Sequence, residues 1–180
     1  MTNNEQVIAQ TKSWITDVVI GCNFCPFAAK EVKQNTILYR VEESILVKGC
    51  IEAFVQECMK LDGDESIETT LLIFPNGFAD FNYYLILVAL AEKSLKKGGY
   101  EGVYQVASFH PLYCFAGAEN DDAANYTNRS IYPMLHLLRE ASIETALGRY
   151  ANHEEIPQRN IDFARQKGTT YMKMLRDSCM

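Results

Sequence analysis

The chain has 180 residues, of which 48% are hydrophobic and 22% are charged, and its formal net charge is −6. This composition is typical of a globular domain and excludes fibrous and disordered classes of protein. The acidic balance, with no run of basic residues longer than Lys96-Lys97, lacks the basic surface that nucleic-acid-binding proteins need. We therefore expect no nucleic-acid partner.

Hydropathy and cysteine usage indicate the cellular compartment of the protein. The most apolar stretch, Tyr83–Ala91, is much shorter than the ~20 residues that span a bilayer, so we expect no membrane association. The first residues, MTNNEQVIAQTKSW, show neither the basic start nor the apolar run of a secretion signal. These features predict a cytoplasmic protein whose six cysteines are reduced thiols.

The first half of the chain alternates between helical and strand patterns. Apolar residues recur with a helical period over Val7–Val19, and a short β-rich strand follows over Thr36–Val41. A second helical stripe runs from Ile51 to Met59. The continuous apolar run Thr69–Phe74 predicts a buried strand, and the residues Asp80–Lys97 predict a third helix.

The second half begins with a strand over Val103–Phe109 and a long loop over His110–Ser130. A helix is predicted to start near Ile131, with Pro133 in its first turn, and a final helix to open at Pro157. Strands separated by helix-length segments indicate βαβ crossovers. We therefore predict a single compact α/β domain over residues 1–180, with a small, mostly parallel sheet of three or more strands covered by about five helices.

This topology predicts a position for a ligand site. In open parallel sheets, ligands bind beyond the carboxyl ends of the strands. His110 follows the third predicted strand, and the turn Pro75-Asn76-Gly77 follows the second. Parallel strands would bring both segments to one edge of the sheet, which is the predicted crevice.

Three motifs occur in a fixed order along the chain. They are GCNFCPFA (residues 21–28), FHPLYCFAG (residues 109–117) and TNRSIYPMLHLLRE (residues 127–140). Together with the IPQRNI segment near the C-terminus, they resemble the family called domain of unknown function 1415, which is found mainly in bacteria and also in plants. The resemblance covers nearly the whole chain and implies no established activity, cofactor or catalytic residue. The family usually has an apolar residue at the position of Cys22.

The densest group of polar residues surrounds the long loop. A helix after this loop would carry His136, Arg139 and Glu140 on one face, because these residues are three and four positions apart. With Arg129 beside it, the start of such a helix is a suitable anion site, since free N–H groups and a guanidinium both bind negative oxygens. His110 would lie next to the anion as a general acid or base.

These features predict an enzyme, such as a hydrolase or transferase, or a binding protein for a small anionic metabolite that bears phosphate or carboxylate. Asn128 would hydrogen-bond the ligand, and the ring of Tyr113 suits a pocket wall. Cys25 is a candidate nucleophile beside a histidine, or else a buried thiol packed under Phe24 and Phe27. No glycine-rich phosphate motif is present in the sequence, so no cofactor is predicted.

Two alternatives to this function remain open at the level of sequence. In the first, the chain is a non-catalytic interaction or structural domain, and its polar cluster is a buried network that specifies the fold. In the second, the chain binds zinc through two close pairs of ligands. The zinc ligands would be Cys22, Cys25, His110 and Cys114. The acidic residues Glu119, Asp121 and Asp122 suit either a divalent cation or a solvated loop.

Overall fold

The computed structural model describes residues 3–180, and within this range the chain forms seven α-helices and a four-stranded sheet. The helices are α1 (Asn4–Trp14), α2 (Ala28–Gln34), α3 (Val47–Gly63), α4 (Phe81–Lys97), α5 (Glu140–Gly148), α6 (Ile156–Lys167) and α7 (Thr169–Asp177). The strands are β1 (Ile37–Val41), β2 (Thr69–Ile73), β3 (Tyr104–Phe109) and β4 (Met134–Arg139). A π-helical segment, Ile15–Ile20, continues α1, and 3-10 helices occupy Ala123–Thr127 and His153–Glu155.

The sheet is mixed, with the strand order β1-β2-β4-β3. β1 and β2 are parallel, whereas β4 is antiparallel to both of its neighbours, β2 and β3. The predicted α/β class is confirmed. The prediction of a mostly parallel sheet is wrong, because β4 is inserted in the opposite direction between two strands that share one direction.

The region that begins near Ile131 is a strand and not the predicted helix. Leu135 and Leu137 are buried on one face of β4 and Met134 is buried on the other. The sequence MLHLLR has good helix formers, but β4 is hydrogen-bonded on both sides. A helix would leave β2 and β3 with unpaired inner edges, so tertiary pairing overrides helix propensity here.

The strands and central helices are the best-predicted elements. β1, β2, β3 and α4 lie within one residue of their expected bounds at each end. The helix count is higher than expected because α2 and α5 were not foreseen, and because Gly168, with φ of 82°, divides the final helix into α6 and α7. Between residues 3 and 180, no helix has both the length and the apolar character needed to cross a membrane.

Each face of the sheet has its own hydrophobic core. α3 and α4 cover one face, where Phe54, Leu72 and Leu87 are at most 1% exposed. α1, its π-helical extension, α6 and α7 pack on the opposite face, where Trp14, Leu71 and Met172 are buried. This second layer leaves part of the sheet uncovered near the start of β2, and the candidate site lies there.

Candidate functional site

The loop after β3 is a packed segment of the protein and not an open crevice. His110 is fully buried, and both of its ring nitrogens are engaged with backbone. Nε2 lies 2.7 Å from the carbonyl oxygen of Phe78, and Nδ1 accepts the N–H of Leu112 at 2.9 Å. The ring packs against Phe81 and Tyr84, and its burial lowers the pKa of His110. The loops after β2 and β3 therefore do meet at one edge, as predicted, but His110 has no free nitrogen for a ligand.

Arg129 holds the same loop together. Its Nε donates to the carbonyl of Tyr113 at 2.9 Å, and its Nη2 donates to the carbonyl of Asn120 at 2.7 Å. The guanidinium lies over the ring of Tyr126, 4.8 Å from its centre. The indole N–H of Trp14 donates to the Arg129 carbonyl at 3.1 Å. Arg129 is thus directed at backbone oxygens, and Tyr113, a predicted ligand contact, provides one of these carbonyls.

Arg139 and His136 do not share a face, because they lie on a strand. Arg139 points toward α3, where its Nη2 donates to the carbonyls of Leu61, Asp64 and Ile67 at 2.7, 3.2 and 3.0 Å. This arrangement satisfies the carbonyls at the end of α3 and in the loop that precedes β2. His136 projects from the opposite face of the sheet. The predicted one-face cluster of His136, Arg139 and Glu140 is therefore wrong.

The other two predicted residues of this region have local roles. The side-chain amide of Asn128 donates to the carbonyl of Ser108 at 3.4 Å, and its oxygen accepts the hydroxyl of Thr127 at 3.0 Å. Glu140 is the first residue of α5, and its backbone N–H donates to the carbonyl of Val103 at 3.0 Å. Neither side chain lines the cleft described below.

The predicted zinc ligands are not gathered at one point. His110 uses both nitrogens and packs against α4, whereas Cys25 lines a cleft on the other face of the sheet. The thiol of Cys114 lies 3.4 Å from the carbonyl of Ala118. In the acidic loop, Asp122 is paired with Arg165 at 2.8 Å. Across residues 3–180, no group of three or more His, Cys, Asp or Glu side chains is placed to hold a metal ion.

A cleft of about 790 Å³ lies on the face of the sheet opposite α3 and α4. Its floor is formed by side chains of the inner strands β2 and β4 and of the edge strand β3. These floor residues are Thr69, Leu71, Ala107, Phe109, His136 and Leu138. One wall comes from Trp14, Ile15 and Val19, and the others come from residues 25–31 and 141–150. We refer to this cavity as the cleft.

His136 is the polar residue at the centre of the floor. It pairs in register with Leu71 on β2 and Ala107 on β3, and its ring lies 6.0 Å from that of Phe109. Its Nε2 is 2.6 Å from the hydroxyl oxygen of Thr69. Burial among these apolar groups lowers the pKa of His136 to about 4, so the ring is neutral at neutral pH. Of the predicted catalytic residues, His136 and Cys25 are the two that line the cleft.

Cys25 lies three residues before the start of α2. Burial raises the pKa of its thiol, while the backbone N–H groups of Phe27 and Ala28 act in the opposite direction. The net effect is a raised pKa, so at neutral pH the side chain is a thiol and not the thiolate that a nucleophile requires. The alternative of a packed thiol describes Cys25 better than the alternative of an activated nucleophile.

The outer wall of the cleft is fastened by contacts between segments that are far apart in sequence. The rings of Phe27 and Tyr150 meet edge to face, with centres 5.8 Å apart. Arg159 on α6 donates to the Tyr150 hydroxyl at 3.2 Å, and the amide of Asn160 donates to the carbonyl of Phe24 at 2.7 Å. The IPQRNI segment therefore anchors both sides of the cleft, which gives this motif a physical role.

Several residues of the cleft were not foreseen from the sequence. Trp14, the one tryptophan of the chain, was assigned only to a helical stripe, and Arg149 and Tyr150 lie in a segment for which no element was predicted. The composition of α5 is the feature of the sequence that could have indicated a cleft here. Ala141, Ser142 and Ala146 are small residues that leave room above the sheet. None of the nine residues of α5 is buried, because the helix faces the cleft and not a packed core.

Comparison with known proteins identifies the family of the chain. The profile of the family described as "Protein of unknown function (DUF1415)" matches residues 6–174 of the 180-residue chain. No curated protein and no solved structure is matched by the chain. The motifs at residues 21–28, 109–117 and 127–140 all fall inside the matched range, so the resemblance seen in the sequence is confirmed.

Proposed function

The chain belongs to the DUF1415 family, and we propose that it binds a small, largely apolar metabolite that carries a carboxylate group. The apolar body lies on the sheet inside the cleft, and the carboxylate lies at the rim beside Arg149. This proposal keeps the ligand class expected from the sequence, a small anionic metabolite. It moves the site from the loop after β3 to the face of the sheet opposite α3 and α4.

The cleft itself is the observation that carries the proposal. Its volume of about 790 Å³ lies within the range of roughly 300–1,000 Å³ that is typical of ligand pockets. Trp14, Leu71, Ala107 and Phe109 present apolar surface to it, and few polar groups interrupt that surface. Because burial of apolar surface drives association in water, the body of the ligand is apolar.

The charges at the rim support an anionic group on the ligand. Lys30 is already paired with Glu31 at 2.9 Å. Among residues 3–180, Arg149 finds neither an ion pair nor a side-chain hydrogen bond, and it is exposed at the cleft. A free guanidinium binds a carboxylate through two parallel hydrogen bonds, so a carboxylate suits this position.

Glu68 acts against an anion at the same rim. It lines the cleft, is partly buried, and has no side-chain partner within the described range 3–180. Its negative charge opposes a ligand carboxylate, so Glu68→Gln is expected to tighten binding. A cationic ligand would be favoured by Glu68 and opposed by Arg149, and the two substitutions therefore separate the two signs of charge.

The residues first expected to contact the ligand support the architecture instead. His110, Arg129 and Arg139 all bind backbone carbonyls, as the alternative of a buried fold-specifying network expects. In this proposal these three residues have that role, and Arg139 also lines the cleft. A hydrolase or transferase activity stays a prediction, to be tested once a ligand is known.

The proposal is tested by titrating the protein with ω-phenylalkanoates from propionate to hexanoate while the fluorescence of Trp14 is recorded. Trp14 lines the cleft and touches Phe109, so an occupied cleft changes its emission. The acids are expected to bind more tightly than the matching phenylalkanols and phenylalkylamines. Tighter binding of the amines would contradict an anion site, and no binding of any compound in the series would reject the proposal.

Two variants locate the site. Ala107→Leu fills part of the floor and is expected to weaken binding about tenfold, because overpacking costs on the order of 1–3 kcal/mol. The matched control is Ala116→Leu, the same change in an exposed part of the loop after β3, which should leave binding unchanged. Arg149→Gln should weaken the acids about fivefold and leave the alcohols unaffected, as expected for an exposed ion pair.

A further inference from the structure

We propose that the cleft selects, among apolar carboxylates, those that also carry a neutral hydrogen-bond donor such as a phenol or alcohol hydroxyl, and that Nδ1 of His136 accepts this donor. The inference rests on the proposed function and assigns the polar contact at the inner end of the ligand. It concerns specificity, because it predicts which of two acids of similar size binds more tightly.

The hydrogen bonds of Thr69 fix the tautomer of His136. The Thr69 hydroxyl oxygen is 2.6 Å from the carbonyl oxygen of Leu137 and 2.6 Å from Nε2 of His136. A hydroxyl has one hydrogen, and a carbonyl can only accept, so the Thr69 hydrogen is donated to Leu137. The Thr69 oxygen then accepts from His136, which places the ring proton on Nε2 and leaves a bare lone pair on Nδ1.

That lone pair is open to the cleft. Within residues 3–180, no hydrogen-bond partner of His136 Nδ1 is found, and the buried side-chain atoms without a partner are Glu57 Oε2 and Thr70 Oγ1. Nδ1 is therefore accessible, and the accessible side of this partly buried residue faces the cleft. It is an acceptor on a floor whose other residues, apart from Thr69, are apolar.

The chemistry of this acceptor excludes some ligand groups and favours others. A carboxylate next to Nδ1 would bring its lone pairs against the lone pair of the nitrogen, with no hydrogen between them. The carboxylate of the ligand therefore lies at the rim. The ring stays neutral because it is packed beside Phe109, Leu71 and Ala107 and because protonation there is disfavoured by burial. A neutral donor satisfies the lone pair without adding charge to the floor.

A site built around one acceptor discriminates against analogues that lack the donor, because their binding strips water from the acceptor and returns no hydrogen bond. The loss expected for one neutral hydrogen bond is about fivefold to tenfold in affinity. Ser142 on α5 is a polar residue of the wall and is not expected to take part.

The test compares ω-(4-hydroxyphenyl)alkanoates with ω-(4-methoxyphenyl)alkanoates, from propionate to hexanoate, by isothermal titration calorimetry. The chain-length series is needed so that one member spans from Arg149 to His136. For that member the hydroxy acid is expected to bind about fivefold to tenfold more tightly than the methoxy acid. Equal affinities, or a preference for the methoxy acid at every length, would overturn the inference and leave the proposed function standing.

Variants assign the effect to the ring nitrogen. His136→Phe removes the acceptor and should abolish the preference, whereas His136→Gln restores it, because the amide can donate to Thr69 and accept from the ligand. Ser142→Ala is the matched control and should keep the preference. If His136→Phe does not fold, the glutamine and alanine variants still decide the matter: loss of the preference in Ser142→Ala would assign the contact to the wall and overturn the inference. Failure of every acid to bind the wild type would reject the proposed function itself.

Discussion

The neutral state of His136, whose ring packs among apolar groups on the floor of the cleft, makes the stability of the protein depend on pH in a specific window. Burial lowers the pKa of His136 in the folded protein to about 4, whereas in the unfolded chain its value is about 6.5. Between these values the unfolded state binds more protons than the folded state, so acidification favours unfolding. The stability from this group is fully present above about pH 7 and is lost as the pH falls from about 6.5 to about 4.

The magnitude follows from the two pKa values. The linkage relation gives a loss of about 2 kcal/mol between pH 7 and pH 5, and about 3 kcal/mol by pH 4. The assay is urea denaturation of the wild type and of His136→Gln at several pH values. Glutamine does not titrate, so the variant should lose about 2 kcal/mol less than the wild type between pH 7 and pH 5.

Other titrating groups do not affect the difference between the two proteins, because the wild type and His136→Gln both contain them. Burial also lowers the pKa of His110, and this contributes a loss of the same sign to both curves. The lowered pKa values of Asp64, Asp122 and Asp177 contribute stability that is lost only below the ordinary range of aspartate. If the two curves run parallel between pH 7 and pH 5, the ring of His136 is not held in an apolar site and the account of the floor is wrong.

Three further substitutions test contacts that support the fold. Arg129→Ala leaves two carbonyls of the loop after β3 without their donors and should lower the free energy of unfolding by about 3 kcal/mol; a change below about 1 kcal/mol would show that the loop does not depend on it. Arg40→Met leaves the carboxylate of Glu57, whose side chain is 2% exposed, buried without its cation, so urea denaturation should show a loss of about 3 kcal/mol that the added change Glu57→Gln largely restores. His110→Phe should lower the free energy of unfolding by about 2 kcal/mol, because two hydrogen bonds are lost. It should leave the affinity for phenylalkanoates unchanged, and weaker binding would show that His110 belongs to the ligand site.

The elements that sequence predicts well are those whose patterns are strong and locally bounded. The apolar run of β2 has all five residues buried, and α4 has both a capping aspartate, which accepts the N–H of Tyr83 at 2.8 Å, and a terminal glycine. β4 was missed because Met134–Arg139 has the composition of a helix and the hydrogen bonding of an inner strand. Pairing with the two neighbouring strands, which are far away in sequence, decides between a helix and a strand.

The site expected from the sequence differs from the proposed one for a related reason. Polar residues that are close together along the chain predict a site at the loop after β3, but the fold turns most of them toward backbone carbonyls. The cleft is formed instead by residues from four segments, 14–37, 68–71, 105–109 and 136–150, whose approach depends on the position of β4. Cys25, His136 and Arg139 belong to both descriptions, but the strand gives the ring of His136 a different set of neighbours from those expected on a helix.

The most direct test of the central claim is a crystal structure of the protein with the phenylalkanoate that binds most tightly. The account predicts the phenyl group on the sheet beside Trp14 and Phe109, with the carboxylate on the guanidinium of Arg149. A ligand bound in the loop after β3, with its carboxylate on Arg129, would contradict the account and restore the site first expected from the sequence.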